Sequence, residues 1–410
     1  MQDYVRTLCH EIKATTRQGA LPCNTIYFGG GTPSLVPPEL VEEILLTVKE
    51  CFGVRPDAEI TLEADPGTFD IVRLQQYMKL GVNRISMGVQ SFEEEHLQAC
   101  GRSHKVADVY QAVQAVQECQ VPTWSLDLIS GLPGLTREQW RHTLHEAIRM
   151  DPNHISVYDL QVEEGTPFSR WYEQGRMSFP QDDEAASMYS EAVQMLTSAG
   201  YEHYEISNYA KPGHRSKHNQ VYWKGVPYYA FGLGAASYLN GVRFSRPAKM
   251  QQYKSWVLEM SDGVVERGDP PQQSREESLT SSAATANANR EDALLDTVML
   301  RLRTSDGLDM GAFSRTYSSD AASVVMQAVQ KHKEYGLILQ LPLLHDVSTD
   351  SNCRTASPPD EGRPCALEST NAHLPPSWNF RIRLSDPEGF LLSNSIISDV
   401  FAAFSFDNKT

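Results

Sequence analysis

The chain has 410 residues, 40% of them hydrophobic and 21% charged, with a net charge of −16. That is the composition of a folded globular protein with room for one large domain and a smaller one. The acidic balance argues against a general nucleic-acid or anionic-membrane binder, which needs a basic footprint, and no apolar run reaches the length of a membrane span. The first twenty residues read as neither a signal peptide nor an Arg-rich transit peptide. Seven cysteines, at 9, 23, 51, 100, 119, 353 and 365, form no C-x-x-C or C-x-x-x-C pair. Their spacing supports free thiols in a reducing compartment over a disulfide framework or a zinc or iron-sulfur site.

Residues 1–22 read as a helix, with Tyr4, Leu8 and Ile12 on one face and Gly19 and Pro22 closing it. A repeated unit follows. Strand 25–28 runs into Gly29, Gly30, Gly31, Thr32 and Pro33, and then into a helix from Pro38 to Phe52 whose Glu39, Glu42 and Glu43 suit its positive end. Adjacent glycines are an expensive way to end a strand, so this stretch is either a tight turn or a place where something approaches the backbone closely.

Strand 59–63 precedes a helix near 69–80 that stops at Gly81, and strand 83–89 precedes a helical region 93–119 with a break at Gly101. Strand 123–129 leads through G-L-P-G to a helix 136–149 capped by Thr136. Strand 154–161 leads to a helix 182–199 ending at Gly200, and strand 202–206 closes the series. Alternation at this spacing predicts βαβ units and a parallel sheet. Gly29 to Gly31, Glu63 with Asp65, Gln90, Asp127, Gln161 and Glu205 all fall at the same end of successive strands. Convergence on one mouth favours a partial or full (β/α) barrel over a doubly wound sheet, whose site sits at a single switch point.

Between 207 and 247 the chain carries His214, His218, Tyr222, Trp223, Tyr228, Tyr229 and Phe231 beside Arg215, Lys217 and Lys224. Two readings stand: a pocket for a large flat anionic ligand, or a covering loop packed by its own aromatics. The stretches 261–290 and 346–376 have the composition of a linker and a disordered insertion. Around them, 293–302 and 321–339 read as helices and 380–384 with 390–392 as a hairpin, making 291–410 a small α+β domain.

The motifs T-I-Y-F-G-G-G-T-P, E-I-T-L-E-A-D-P-G-T, N-R-I-S-M-G-V-Q-S-F and D-L-I-S-G-L-P-G-L-T occur in that order. With them the chain resembles the radical S-adenosylmethionine proteins, in the branch that contains oxygen-independent coproporphyrinogen III oxidase and the HemW haem chaperones. The resemblance is close over residues 1–250 and resumes at E-D-A-L-L-D-T-V-M-L-R-L-R-T-S-D-G-L and R-I-R-L-S-D-P-E-G-F-L-L-S-N. It implies a partial (β/α) barrel over 23–250, without its first strand, behind an N-terminal helix and followed by the C-terminal α+β domain.

By position, the resemblance implies that Gly30, Gly31 and Thr32 face the methionine end of S-adenosylmethionine and Glu63 its ribose hydroxyls, with Gln90, Arg102 and Asp127 as further contacts. The element H-N-x-x-Y-W, here His218 to Trp223, is similar to that of the HemW branch and makes His218 the expected haem contact. Haem and haem-acceptor proteins are then the expected partners; a homodimer and peripheral membrane association are compatible with the resemblance. The alternatives are the oxidase, which decarboxylates coproporphyrinogen III propionates, and a catalytically inactive remnant. The C-x-x-x-C-x-x-C loop that holds the family's 4Fe-4S cluster does not occur in this sequence. The expectation is therefore a fragment, an alternative start or an incomplete gene model that as it stands neither assembles the cluster nor cleaves S-adenosylmethionine. The expected compartment is the cytoplasm for a bacterial protein, and a chloroplast or mitochondrion for a eukaryotic one.

Overall fold

The structure, a computed structural model, describes residues 1–16, 21–160, 180–261, 283–343 and 378–407. It falls into two compact units, Met1–Leu300 and Arg301–Thr410. The stretch 346–376 and Gln161 lie outside the described residues.

The first unit is a curled, open half-barrel. After helix α1 (Gln2–Thr15), strands β1 (Cys23–Phe28), β2 (Val54–Ala64), β3 (Arg84–Gln90), β4 (Thr123–Ser130) and β5 (His154–Asp159) pair in parallel in chain order. Between them run α2 (Pro38–Phe52), α3 (Ile71–Lys79), α4 (Glu94–Ala99), α5 (Val106–Glu118) and α6 (Arg137–Arg149). Thr136 caps α6 as its sequence predicts, accepting from Gln139 N at 3.2 Å. Helix α7 (Asp182–Ser198) leads to β6 (Glu202–Glu205).

One strand differs from expectation. Asn208–Ala210, placed by the sequence in the covering loop, forms β7, which slots antiparallel between β5 and β6. A turn too short for any crossover joins it to β6, and strands so joined can pair only antiparallel.

Each parallel strand has two chemically different faces. Ile60, Leu62, Ile85, Met87, Val89, Leu126, Leu128 and Ile155 are buried towards the helices. On the other face Thr25 registers with Glu59, Thr61 with Arg84, Ser86 with Ser125 and Asp127 with Ser156. The inner face of the half-barrel is therefore polar, unlike the branched aliphatic layers that fill a closed barrel.

Outside the sheet, Val5, Leu8, Cys9 and Ile12 of α1 pack on Ile44, Val48 and Phe52 of α2, with Ile26, Phe28, Tyr229 and Phe231 at the border. Tyr229 and Phe231 stack at 5.9 Å and both meet Phe52. These two rings of the 207–247 stretch thus serve packing. The rest of that stretch is not a loop: it holds α8 (Lys217–Trp223) and a hairpin of β8 (Ala236–Leu239) and β9 (Val242–Ser245). Helix α9 (Met250–Ser261) follows, and α10 (Ala283–Leu302) begins inside the predicted linker, where Ala283, Ala284, Ala286 and Ala288 supply the strongest helix former.

The hairpin is pinned to α1 by a fully buried ion pair. Arg246 Nε meets Glu11 Oε1 at 2.7 Å, while Glu11 Oε2 accepts from Gly232 N at 2.8 Å and Tyr253 Oη at 2.7 Å. The Arg246 guanidinium also lies over the rings of Phe231, Phe244 and Trp256.

In the second unit, β10 (Leu308–Asp309), β11 (Ile338–Pro342) and β12 (Phe380–Leu384) form an antiparallel sheet with β12 in the middle. Helices α11 (Met310–Thr316) and α12 (Ser319–Glu334) precede β11, and α13 (Glu388–Leu391) and α14 (Ser393–Asp407) follow β12. Two expectations are corrected. The helix read to 339 stops at Glu334, because Gly336 at φ 73° turns the chain into β11. Residues 390–392 are not a strand but belong to a helical turn behind Pro387, with Gly389 so close to Leu337 O that an added Cβ would lie 2.4 Å away.

Replacing Glu11 by Gln leaves the Arg246 charge buried without its counter-charge, a change that costs about 3–5 kcal/mol. Urea unfolding of Glu11→Gln checks this, and adding Arg246→Met is expected to recover part of the loss.

Candidate functional site

The glycine turn after β1 resolves into separate tasks. A Cβ on Gly29 would meet the Tyr27 ring at 2.7 Å and Glu63 Oε1 at 3.2 Å, so the bare backbone lets these two side chains lie against it. Gly30 and Gly31 adopt φ of +82° and +64°, which favours glycine, and nothing lies within 4 Å of where their side chains would be. Gly30 N donates to Glu63 Oε2 at 2.9 Å, and Tyr27 Oη donates to Glu63 Oε1 at 2.7 Å. The β2 carboxylate thereby fixes the turn.

Asp65, one step beyond β2, organises the rest of the rim. It accepts from Thr32 Oγ1 at 3.1 Å and from Arg102 Nη1 at 3.2 Å. A Cβ on Gly88 would lie 2.9 Å from Asp65 Oδ1 and 3.0 Å from Gln90 Nε2, so Gly88 is where Asp65 and Gln90 crowd the strand. Gln90 itself sits at φ 72°, a left-handed conformation that non-glycine residues adopt rarely and mostly at functional positions. Gly30, Thr32, Glu63, Gln90 and Arg102 are thus drawn together, with Gly31 in the same turn. Sequence reading noted Asp65 as a strand-end acid but gave it no role, although it holds two of the residues to which it gave roles.

Asp127 faces the same lumen from β4, accepting from Ser86 Oγ at 3.1 Å and from Ser156. Burial pushes its carboxyl up to about 6; the Glu63 charge adds to the rise, while the two serines and Arg84 oppose it. Glu205, at the end of β6, is pushed by burial to about 7 against hydrogen bonds from Ser207 and Asn208.

His218 lies elsewhere. It belongs to the segment 211–223 that covers the opposite end of the strands, where Arg84 Nη1 donates to His214 O at 3.3 Å and Thr123 Oγ1 meets His214 Nδ1 at 3.2 Å. Glu59, buried beside Arg84, accepts from the backbone N–H of both Lys217 (3.2 Å) and His218 (2.9 Å), anchoring the start of α8. The His218 ring is held at both nitrogens, Nδ1 by Thr25 Oγ1 and Nε2 by Tyr222 Oη, each at 2.8 Å, and it stacks on Tyr27 at 4.9 Å. Burial lowers its pKa to about 4, so the imidazole is neutral at physiological pH. Tyr27, Thr25 and Glu59 have no part in the predicted site, whereas Tyr222 belongs to the aromatic stretch read as a candidate pocket. The inward-facing alternation along β1 and β2 was the signal that could have found the first three.

Among the described residues no three Cys, His, Asp or Glu side chains come together to hold a metal ion. Cys9, Cys23, Cys51, Cys100 and Cys119 are free thiols, and burial raises the pKa of Cys9, Cys23 and Cys100. The thiolate set that an iron-sulfur cluster needs is therefore not assembled by these residues. Among the same residues no helix is long and apolar enough to cross a membrane.

A half-barrel of parallel strands with a glycine turn and a polar rim at their C-terminal ends is the architecture of a radical S-adenosylmethionine domain. Residues 5–147 match the model of the radical SAM superfamily, and residues 288–341 that of the HemN C-terminal domain. The heme chaperone HemW of Synechocystis sp. is 37% identical over 410 residues, covering 99% of this chain and 89% of that protein. The heme chaperone HemW of Bacillus subtilis is 31% identical over 340 residues, covering 82% and 85%. The chain belongs to the HemW family of the radical SAM superfamily. Its fold is also that of the solved coproporphyrinogen III oxidase (HemN) of Escherichia coli, at a TM-score of 0.69 over 97% of this chain and 82% of that one, with 19% identity.

An acid whose folded-state pKa exceeds its unfolded value lowers stability once it ionises. For Asp127 that penalty is absent below about 3.8 and complete above about 6. Asp127→Asn is therefore expected to raise unfolding stability by on the order of 1–2 kcal/mol at pH 8 and to change it little at pH 4. Denaturant titrations at the two pH values measure it.

Proposed function

We propose that this protein binds haem through His218 and passes it to acceptor proteins, with S-adenosylmethionine held at the opposite end of the half-barrel. The observation that carries the reading is the state of the His218 ring. It is neutral, oriented by Thr25 at Nδ1, and closed at Nε2 only by Tyr222, which is 39% exposed. In the tautomer whose Nδ1–H donates to Thr25, Nε2 carries the lone pair that accepts from the phenol. Displacing that phenol presents an imidazole nitrogen to iron with its orienting bond already made, the usual arrangement of a metal-ligating histidine. Family membership supports the same reading, since the relatives above carry the name heme chaperone.

For S-adenosylmethionine the residues are suited in kind. The space over Gly30 and Gly31 admits a ligand's polar end, Glu63 retains lone pairs for hydroxyl donors, and Asp127 offers an acceptor to a cation. In the superfamily that cofactor undergoes one-electron cleavage only with an electron from a 4Fe-4S cluster, whose thiolate set the described residues do not assemble. What this chain's own groups do is hold it: Thr32 and Arg102 are fixed by Asp65, and Glu63 ties the turn to β2. The oxidase alternative rests on likeness of fold, which several functions share.

His218→Ala is expected to weaken haem binding at least ten-fold and to shift the Soret maximum. Because the ring stays neutral down to about pH 4, wild-type affinity is expected to hold between pH 8 and pH 6, where an unperturbed imidazole would begin to protonate. Absorbance titration with haem over that range reads both. A variant that binds haem as the wild type does would remove His218 from the reading.

A further inference from the structure

The predicted cofactor rim and His218 lie at opposite ends of the strands, yet one side chain touches both. Tyr27 donates its hydroxyl to Glu63 Oε1 at 2.7 Å, and its ring stacks on the His218 imidazole at 4.9 Å and 20°. Its neighbours leave it little freedom. The missing Cβ of Gly29 admits the ring, and the register that sets Tyr27 beside Thr61 and Thr25 beside Glu59 keeps both inward-facing positions of β1 on the lumen. Glu63 in turn binds Gly30 N, in the glycine turn. A continuous path of contacts thus runs Gly30, Glu63, Tyr27, His218, Tyr222.

We propose that Tyr27 is a positioning residue that sets haem binding at His218 and adenosyl binding at Glu63 against each other. The inference rests on the reading of those two sites given above. A ribose hydroxyl that donates to a remaining lone pair of Glu63 draws charge from the carboxylate and so weakens the bond it accepts from the Tyr27 hydroxyl. With that bond weakened, the phenol ring is less electron-rich and stabilises the stacked imidazole less when iron draws charge from it. Conversely, iron on Nε2 makes the imidazole electron-poor, which strengthens the Tyr27 hydroxyl as a donor and holds Glu63 away from a ribose. Coupling of this kind is reciprocal, and coupling free energies between sites commonly correspond to about 5-fold or more in affinity. Beyond iron taking the place of the Tyr222 hydroxyl at His218 Nε2, no covalent bond is made or broken and no proton changes owner; the coupling exchanges only the strength of one hydrogen bond and one stack.

The test is a cycle of haem titrations on the full chain, read at the Soret band, with and without millimolar S-adenosylmethionine, in wild type and Tyr27→Phe. Phenylalanine keeps the stack and deletes only the hydroxyl. S-adenosylmethionine is expected to weaken haem binding about five-fold in wild type and to leave it unmoved in Tyr27→Phe, whose haem affinity without the nucleoside is already lowered to about that of the wild type with it. A merely structural role for Tyr27 would lower haem affinity equally in both conditions and leave the ratio intact. The inference is overturned if S-adenosylmethionine, shown by equilibrium dialysis to bind the wild type, does not weaken haem binding there, or if the weakening persists in Tyr27→Phe; absence of S-adenosylmethionine from the dialysed protein overturns the cofactor reading and the inference with it. The reading beneath it fails on a different measurement: haem binding unchanged in His218→Ala overturns both, whereas loss of haem binding there with coupling intact in Tyr27→Phe overturns only the inference.

Discussion

Everything in the first unit depends on strands that are apolar on one face and polar on the other. Parallel strands are ordinarily buried on both faces and read as continuous hydrophobic runs. Here the outer residues of β2 to β5 are buried under the helices, while the inner positions are Thr, Ser, Glu, Arg, His, Tyr and Asp. A lumen of that composition cannot be closed by packing alone, because each buried polar group needs a partner. The barrel therefore stays half open, and its inner groups satisfy one another or await a ligand. Thr61 Oγ1 and His154 Nδ1, both buried without a partner among the described residues, mark where that internal accounting is incomplete.

The closure of one end follows from the same constraint. Glu59 and Arg84, facing each other across 3.8 Å inside the sheet, would carry a heavy desolvation cost if left to themselves. Glu59 instead accepts the first N–H groups of α8, and Arg84 reaches the carbonyl of His214. Residues 211–223 thus act as a stopper whose attachment is made by lumen charges. His218 arrives inside the half-barrel as a consequence of how that stopper is held.

Much of this was legible in the sequence, and the misses share a cause. The βαβ rhythm and the convergence of Glu63, Gln90 and Asp127 at one mouth follow from strand and helix spacing together with strand direction, both local properties. Runs such as T-I-Y-F, E-I-T-L-E and R-I-S-M-G-V-Q also show the inward polar positions plainly, but attention to strand ends passes over Thr25, Tyr27 and Glu59. What no local pattern carries is pairing at a distance: that Asn208–Ala210 would enter the sheet antiparallel, that 338–342 would take the place of 390–392 beside β12, or that Tyr27 would lie between Glu63 and His218. The roles of Gly30, Thr32 and Arg102 came from family resemblance. The geometry adds Asp65, which holds Thr32 and Arg102, and the bond that ties Gly30 N to Glu63.

The carboxylates of the lumen give its energetics a direction. Burial holds Asp127 near 6 and Glu205 near 7, so at neutral pH the lumen carries acids close to their titration points, held there by loss of solvation. Any positively charged group that enters the C-terminal end of the lumen lowers those pKa values by direct Coulomb attraction. Part of its binding free energy then comes from relieving a penalty already present in the unliganded protein, and proton release on binding is the thermodynamic mark of that relief. A neutral ligand of the same shape gains none of it. Selectivity for a cationic ligand over a neutral one would thus be set less by any one contact than by the cost of keeping Asp127 and Glu205 buried.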